Sequence, residues 1–144
     1  MQIDETDRRL LSALQANARQ PVADLARLLG LARTTVQARL ERLERSGVIR
    51  GYTLRLGAEA RPPLHATALV SIAPRAGPAV LARLRSLPAV RVVHTTSGRF
   101  DLLVQLAAQT TQELDETLDR IGELQGVNSS ESLIHLSTKL DRTA

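Results

Sequence analysis

The chain has 144 residues, enough for one ordinary domain or two small ones, and a formal net charge of +4. It has no cysteine, which excludes a disulfide framework and a thiolate metal site. The N-terminus does not resemble a signal peptide, and no apolar run approaches the roughly 18 residues that span a bilayer, so we expect a cytoplasmic protein without a membrane partner.

The positive charge is concentrated in one segment. Residues 31–56 hold six arginines and two glutamates, which accounts for the whole net charge of +4. Such an asymmetry indicates a basic module that meets a polyanion, joined to a neutral module with a different task. The alternative for the basic segment is a solvated charged face without a partner.

The first part of the chain predicts helices. Asp4 is a suitable N-cap for a first helix, in which apolar residues recur at helical spacing from Leu10 onward. Pro21 is placed to open a second helix and Gly30 to end it. A third helix is predicted over residues 32–45. The short connection around Gly30 favours a helix-turn-helix.

The third helix has two unlike faces. Its apolar residues follow i, i+4, i+7 spacing and should face inward: Val36, Leu40 and Leu43. The opposite side carries hydroxyl, amide, methyl and guanidinium groups together with Glu41, and groups of this kind read base edges in a major groove. Because a helix docked in the groove contacts bases mainly with its N-terminal residues, we expect these base readers: Arg33, Thr34, Thr35, Gln37 and Ala38.

Arginines further along the helix are expected to contact phosphates: Arg39, Arg42 and Arg45. For Arg39 and Arg45 the alternative is pairing with Glu41 or Glu44 along the helix. After Gly47, alternating apolar residues predict a short β wing, beside which Arg50 would lie along a phosphate backbone. Residues 1–56 are therefore predicted to form a winged helix-turn-helix DNA-binding domain.

The second part of the chain predicts an α+β domain over residues 66–144, after a linker at 57–65 that contains two prolines. Helices are predicted at 77–87 and 110–124, and strands at 66–73, 90–97, 100–107 and 131–138. Only Gly98-Arg99 separates the second and third strands, which indicates a tight turn. The order βαββαβ is the ferredoxin-like arrangement, with two helices on one face of a four-stranded sheet. The other face should carry apolar groups that favour subunit association.

These segments resemble the Lrp/AsnC family of leucine-responsive and asparagine-responsive transcriptional regulators. The resemblance covers nearly the whole chain and rests on "DETDRRLLSALQANAR", "VADLARLLGLARTTVQARLERLERSGVIRGYT", "TTSGRFDLLVQL" and "GVNSSESLIHL". It implies dimers formed through the ferredoxin-like domains, often stacked into octamers, and amino-acid effectors bound between subunits. The chain departs from the family at Ala32, where serine is usual, and at Phe100, where tyrosine is usual.

The turn between the second and third strands is the candidate effector site. Gly98 can take a positive φ and bring backbone N–H groups close to a ligand carboxylate, and Asp101 can accept from an α-ammonium group. The candidate residues in the turn are Gly98, Arg99, Phe100 and Asp101. The resemblance adds residues from a neighbouring subunit: Asn128, Ser130 and Ser132. The alternative is a plain hairpin turn with a solvated Asp101.

An enzyme is not expected. The three histidines, His65, His94 and His135, are scattered without metal-ligand or nucleophile–base spacing, so we predict surface or cross-strand positions, no catalytic residue, no metal and no cofactor. We therefore predict a homo-oligomeric, sequence-specific regulator that binds double-stranded DNA and an amino-acid-like effector. The remaining alternative is an architectural protein that wraps DNA without an effector.

Overall fold

The computed structural model describes residues 2–143, which form two compact units, one of residues 2–55 with Thr143 and one of residues 56–142. The first unit contains the helices α1 (Glu5–Ala16), α2 (Val22–Leu29) and α3 (Arg33–Arg45). As predicted, Asp4 caps α1: its carboxylate accepts from the Asp7 N–H at 2.8 Å, and the Asp7 carboxylate accepts from the Asp4 N–H at 3.3 Å. The helix-turn-helix prediction is confirmed.

The connection between α2 and α3 follows the chemistry of its residues. Gly30 ends α2 in the left-handed region with φ of 68°, where its lack of a Cβ removes the steric cost. Ala32 then precedes α3, and its side chain makes no capping hydrogen bond to the first turn. The first N–H groups of α3 therefore lack the hydroxyl acceptor that serine would supply.

The core of the first unit fixes the rotation of α3. Val36 and Leu43 are fully buried against Leu10 and Leu25, and Leu40 is partly buried beside them. The predicted inward seam is therefore confirmed. With the seam inside, the polar side of α3 faces solvent.

The prediction of a β wing after α3 is wrong. Beyond Ile49, the described part of the first unit contains no strand. The apolar residues of this segment stay exposed: Tyr52, Leu54 and Leu56. A strand needs a neighbour for its N–H and C=O groups, and no segment within residues 2–143 pairs with this one. The alternation of apolar residues was therefore an insufficient signal.

The second unit is ferredoxin-like, as predicted. Its elements are β1 (Leu64–Ile72), α4 (Gly77–Arg85), β2 (Val90–Thr95), β3 (Leu102–Ala108), α5 (Thr111–Glu123) and β4 (Val127–Ile134). The four strands form an antiparallel sheet in the order β2-β3-β1-β4. Thr110 caps α5 by accepting from the Glu113 N–H at 3.1 Å.

Several strand boundaries differ from prediction, most of all those of β4 and those on either side of the β2–β3 connection. β4 begins at Val127, four residues before the predicted start, directly after Gly126, whose φ is 97°. The polar residues of β4 still pair with β1, for example Ser132 with Ala68, because backbone hydrogen bonds do not require apolar side chains. The expected two-residue turn between β2 and β3 is a longer loop over residues 96–101, so these strands are shorter than predicted.

One face of the sheet is buried under the two helices, and the other face carries both apolar and polar side chains. The face toward the helices is closed by buried residues from β1, β3, α4 and α5: Ala66, Ala68, Val70, Val104, Leu106, Val80, Leu84, Leu114 and Ile121. The outer face carries the cross-strand pair of Leu69 and Leu103, with Thr67 opposite Gln105. The rings of His65 and His135 stack at 6.5 Å, which confirms the prediction of cross-strand histidines for these two.

Candidate functional site

The outward face of α3 brings most of the predicted base readers together. Arg33, Thr34, Gln37 and Ala38 are exposed and, with Glu41, line a shallow open cleft of 280 Å³. Thr35 is exposed but lies on a flank, toward the side that carries Arg39 and Arg42. The result is a polar surface along a helix whose opposite side is held in the core, which is suited to docking in a groove.

The flank of α3 is bound to the start of α1. Nη1 of Arg39 donates to Asp4 at 2.8 Å and to Asp7 at 3.0 Å. Nη2 of Arg42 donates to Asp7 at 2.8 Å. The Asp7 side chain is fully buried, whereas the side chains of Arg39 and Arg42 are 26% and 49% exposed. The buried carboxylate thus links two turns of α3 to the first turn of α1.

The ion pairs shift the pKa values of the exposed partners. Hydrogen bonding from the Arg39 guanidinium, helped by the Asp7 N–H, holds the pKa of Asp4 below its ordinary value of 3.8. Hydrogen bonds to Asp4 and then Asp7 raise the pKa of Arg39. Both directions favour the charged pair.

The arginines predicted to contact phosphate therefore fall into two groups. Arg39 donates to Asp4 and Asp7 at the start of α1, and not to Glu41 or Glu44, the partners named in the alternative. Arg42 is also engaged, though its half-exposed side chain has further N–H donors. Within the described chain, Arg45 and Arg50 are exposed and have no ion-pair partner. Of the arginines predicted to contact phosphate, these two have guanidinium groups that the described residues leave free for it.

The β2–β3 loop is held together by hydrogen bonds between its own residues. Gly98 has a φ of 105°, the positive value expected from the sequence. The Thr96 hydroxyl donates to the carbonyl of Phe100 at 2.7 Å, and the Thr96 N–H donates to the carbonyl of Asp101 at 2.9 Å. The Arg99 guanidinium lies 4.9 Å from the centre of the Phe100 ring. These contacts hold the shape of the loop.

Asp101 is not simply solvated. Its Oδ2 accepts from the Ile72 N–H at 2.8 Å, and its own N–H donates to the carbonyl of Val70 at 2.9 Å. The register of β1 against β4 shifts between Ser71 and Ile72, so the carboxylate serves an N–H group at an irregular point of the strand. Asp101 therefore has a structural contact within the chain, and its role toward an effector stays a prediction.

A cleft of 610 Å³ lies beside Asp101. Its walls are mainly apolar, with two hydroxyls and a carboxylate, and come from β1, α4, β2 and β3: Ile72, Gly77, Pro78, Leu81, Val93, Thr95, Thr96, Asp101 and Leu102. An apolar cavity with a few placed polar groups is typical of a small-molecule site. Sequence reasoning missed Thr95 and Thr96, although they directly precede the turn.

The other predicted effector residues lie outside this cleft in the single chain. Gly98, Arg99 and Phe100 form the far part of the loop, and Nη2 of Arg99 approaches Glu131 of β4 at 3.8 Å. The β4 residues are exposed and do not line the cleft: Asn128, Ser130 and Ser132. Ser130 faces α5, where its Oγ would lie 3.4 Å from a Cβ added to Gly122.

Comparison with known families decides the identity. An AsnC-type helix-turn-helix domain matches residues 3–44, and an Lrp/AsnC ligand-binding domain matches residues 65–144. The chain belongs to the Lrp/AsnC family. It is therefore a DNA-binding transcriptional regulator with a ligand-binding domain, and not an enzyme.

Relatives of this Lrp/AsnC chain match along nearly its full length. It is 32% identical over 143 residues to the HTH-type transcriptional regulator FL11 of Pyrococcus abyssi, covering 98% of this chain and 94% of the relative. The structure of Escherichia coli AsnC has a TM-score of 0.91 and 26% identity, with coverage of 100% and 99%. A Neisseria meningitidis transcriptional regulator, solved as a complex with L-methionine, has a TM-score of 0.86 and 28% identity, with coverage of 97% and 94%.

The described part of this Lrp/AsnC regulator contains neither a metal-binding cluster nor a membrane-spanning helix. Among residues 2–143, no group of three or more histidine, cysteine or acidic side chains is placed to hold a metal ion. Over the same residues, no helix is long and apolar enough to cross a membrane.

Proposed function

We propose that this Lrp/AsnC regulator reads a two-fold DNA site as a homodimer, with α3 in the major groove. The observation that carries the proposal is the exposed polar face of α3, opposite a buried apolar seam. Two-fold proteins read two-fold sites, and an HTH recognition helix contacts base edges from the groove. Arg33, Thr34, Gln37 and Ala38 are assigned to bases, and Thr35 to the flank of the contact.

We divide the remaining arginines by their contacts. Arg45 and Arg50 are assigned to phosphates because their guanidinium groups are exposed and unpaired within the described residues. Arg42 adds a phosphate contact with the donors that Asp7 leaves unused. Arg39 is assigned to holding α3 on α1, since the carboxylates of Asp4 and Asp7 already occupy it.

Salt titration tests the phosphate assignment. Each phosphate contact contributes about 0.9 to the slope of log affinity against log salt. Arg45→Ala and Arg50→Ala should each reduce the slope for random-sequence duplexes by about this amount. Arg85→Ala, at an exposed position on α4, is the matched control. If all three variants gave the wild-type slope, Arg45 and Arg50 would not contact phosphate.

Base reading has a different signature. Gln37→Ala should leave the salt slope unchanged and relax the preference at particular bases by about 1–3 kcal/mol. Selection from a random duplex library measures this preference. A variant that lost affinity uniformly for all sequences would contradict the assignment of a reading face.

We further propose that the homodimer forms through the outer face of the sheet, with larger assemblies up to the octamer built on it. The support is the apolar content of that face: Leu69 pairs with Leu103, and Val92 and Leu133 are exposed large apolar residues. Leu103→Asp should shift the full chain toward monomer in sedimentation at micromolar concentration. Leu28→Asp, at an exposed apolar position of α2, is the control. An unchanged assembly in Leu103→Asp would exclude this face.

An amino acid or related metabolite is the proposed effector, bound beside Asp101 and completed by a second subunit. The cleft supplies apolar walls, the Thr95 and Thr96 hydroxyls and one carboxylate, and a structural relative was solved with L-methionine. A charge-assisted contact to the α-ammonium is strong because removing one partner leaves the other unpaired. Gly98, Arg99 and Phe100 would approach the ligand by backbone N–H groups, and Asn128, Ser130 and Ser132 from the neighbour.

Asp101→Asn is a sharp test because asparagine keeps an acceptor for the Ile72 N–H while removing the charge. A thermal-shift screen of the proteinogenic amino acids identifies a ligand, since selective binding raises the unfolding midpoint. Calorimetry should then show binding to wild type and to the control Asp115→Asn, but not to Asp101→Asn. Equal binding by all three would remove Asp101 from the site. No ligand in the screen would favour the effector-independent architectural protein.

A further inference from the structure

Glu41 is an acidic residue on the surface that the regulator offers to a polyanion. It lies on the outward side of α3, exposed, and lines the same shallow cleft as Arg33, Thr34 and Gln37. At 100° per residue, Glu41 falls close to the meridian of Thr34, two turns away. Its carboxylate therefore lies on the reading face, the outward side of α3 that also presents Arg33, Thr34, Gln37 and Ala38.

The carboxylate has no partner within the described residues. No ion pair or hydrogen bond joins Glu41 to Arg45 on the next turn or to Gln37 on the previous one. The other glutamate of α3 differs: Oε1 of Glu44 accepts from the Tyr52 hydroxyl at 3.4 Å, on another side of the helix. Glu41 thus reaches a docked duplex as an uncompensated negative charge.

On a docked duplex, the direct hydrogen-bond donors for a carboxylate in this position are those of the base edges. Phosphates repel it, and guanine N7 and O6 or thymine O4 present acceptors where it also presents acceptors. The exocyclic amines of cytosine and adenine are the major-groove donors, and the acidic side chains pair with cytosine N4. Desolvating the charge against any other base leaves it unpaired, which is costly.

We propose that Glu41 is a specificity-determining residue that selects an amino-bearing base, cytosine foremost, at one position of each half-site. The inference rests on the proposed docking of α3 in the major groove. The position would lie about 10 Å along the helix from the contact of Thr34, which corresponds to about three base pairs. Glu41 lowers the affinity for half-sites that lack such a base more than it raises the affinity for half-sites that have one.

Selection from a random-sequence duplex library tests this with Glu41→Gln. Glutamine keeps the size of the side chain but adds donors, and its bidentate partner is adenine. We expect wild type to enrich cytosine at one position of each half-site and Glu41→Gln to shift that position toward adenine. The cytosine preference should fall by roughly tenfold, while affinity for random duplexes rises because a repulsive charge is lost. Glu41→Gln should unfold at the wild-type midpoint, since Glu41 is exposed.

Glu44→Gln is the matched control, because it removes the same charge from the same helix. It should leave the base preference at every position as in wild type. If Glu41→Gln enriched the wild-type motif unchanged, or behaved as Glu44→Gln does, Glu41 would be only a surface charge. If wild type enriched no motif at all, sequence-specific reading itself would be refuted, and the role of Glu41 with it.

Discussion

Asp7→Asn should destabilise the first unit by about 3–5 kcal/mol, because a fully buried carboxylate loses its hydrogen bonds to two guanidinium groups. The Asp7 side chain is fully buried, and its two oxygens accept from Arg39 at 3.0 Å and from Arg42 at 2.8 Å. Asparagine offers one oxygen, and its amide N–H groups would face a guanidinium donor. Two charge-assisted hydrogen bonds are therefore weakened or lost, each worth about 1.5–3 kcal/mol.

Urea unfolding measures this loss in the first unit selectively. The chain has one tyrosine and no tryptophan, so the fluorescence of Tyr52 reports on the unit that contains Asp7. Wild type and variant are compared at equal protein concentration, since assembly also contributes to stability. A loss of about 3–5 kcal/mol is large against the 5–15 kcal/mol typical of a whole protein, so the midpoint should fall clearly.

Asp24→Asn is the control, because Asp24 pairs with Arg27 on the exposed surface of α2. An exposed pair is worth about 0–1 kcal/mol. The reasoning is refuted if Asp7→Asn costs no more than Asp24→Asn. It is also refuted if Asp7→Asn lowers DNA affinity while leaving the unfolding curve of Tyr52 unchanged, because the pair would then act on DNA directly.

Three further predictions concern the termini and turns of elements. Asp4 has a lowered pKa in the folded protein because of Arg39, so its contribution to stability is present above about 3.8 and is lost as pH falls through the lower folded value. Asp4→Asn should therefore lower the unfolding midpoint at about pH 6, and by less as the pH falls below about 3.8; a loss that does not change with pH would contradict this. Ala32→Ser should stabilise α3 by about 0.5–1 kcal/mol in the urea assay by capping its first turn, and an unchanged midpoint would contradict this. Gly126→Ala should cost about 1–3 kcal/mol by circular dichroism, because φ is 97° and the new Cβ would lie 3.0 Å from two side-chain carbons at the start of α4. Gly57→Ala, where the space is open, is its control, and equal stability of the two variants would argue against the clash.

The parts of the fold that follow from periodicity were predictable. Val36, Leu40 and Leu43 define the buried side of α3 by their spacing alone, and the outward face follows from them. Asp4 and Gly30 mark helix ends because their local chemistry acts within a few residues. The ferredoxin-like order was predictable for the same reason, since each element has its own pattern.

Contacts between distant parts of the chain were not predictable. Arg39 and Arg42 find Asp7 from 32 and 35 residues away, and nothing in the spacing of α3 indicates that the start of α1 lies beside it. The position of β4 depends on pairing with β1 rather than on its own apolar run. Thr95 and Thr96 line the cleft beside Asp101 together with residues of β1 and α4, a contact between separate elements that the sequence alone does not indicate.

The separation of anchoring and outward residues on α3 has an evolutionary consequence. Val36, Leu43 and Arg39 hold the helix, whereas Thr34, Gln37 and other outward residues contribute little to the fold. Substitutions at exposed positions usually change stability by no more than about 0.5 kcal/mol. Duplicated copies of such a gene can therefore diverge toward different operators without first acquiring compensating mutations in the core. The same separation allows mutually orthogonal regulators to be constructed on one scaffold by exchanging the outward residues alone.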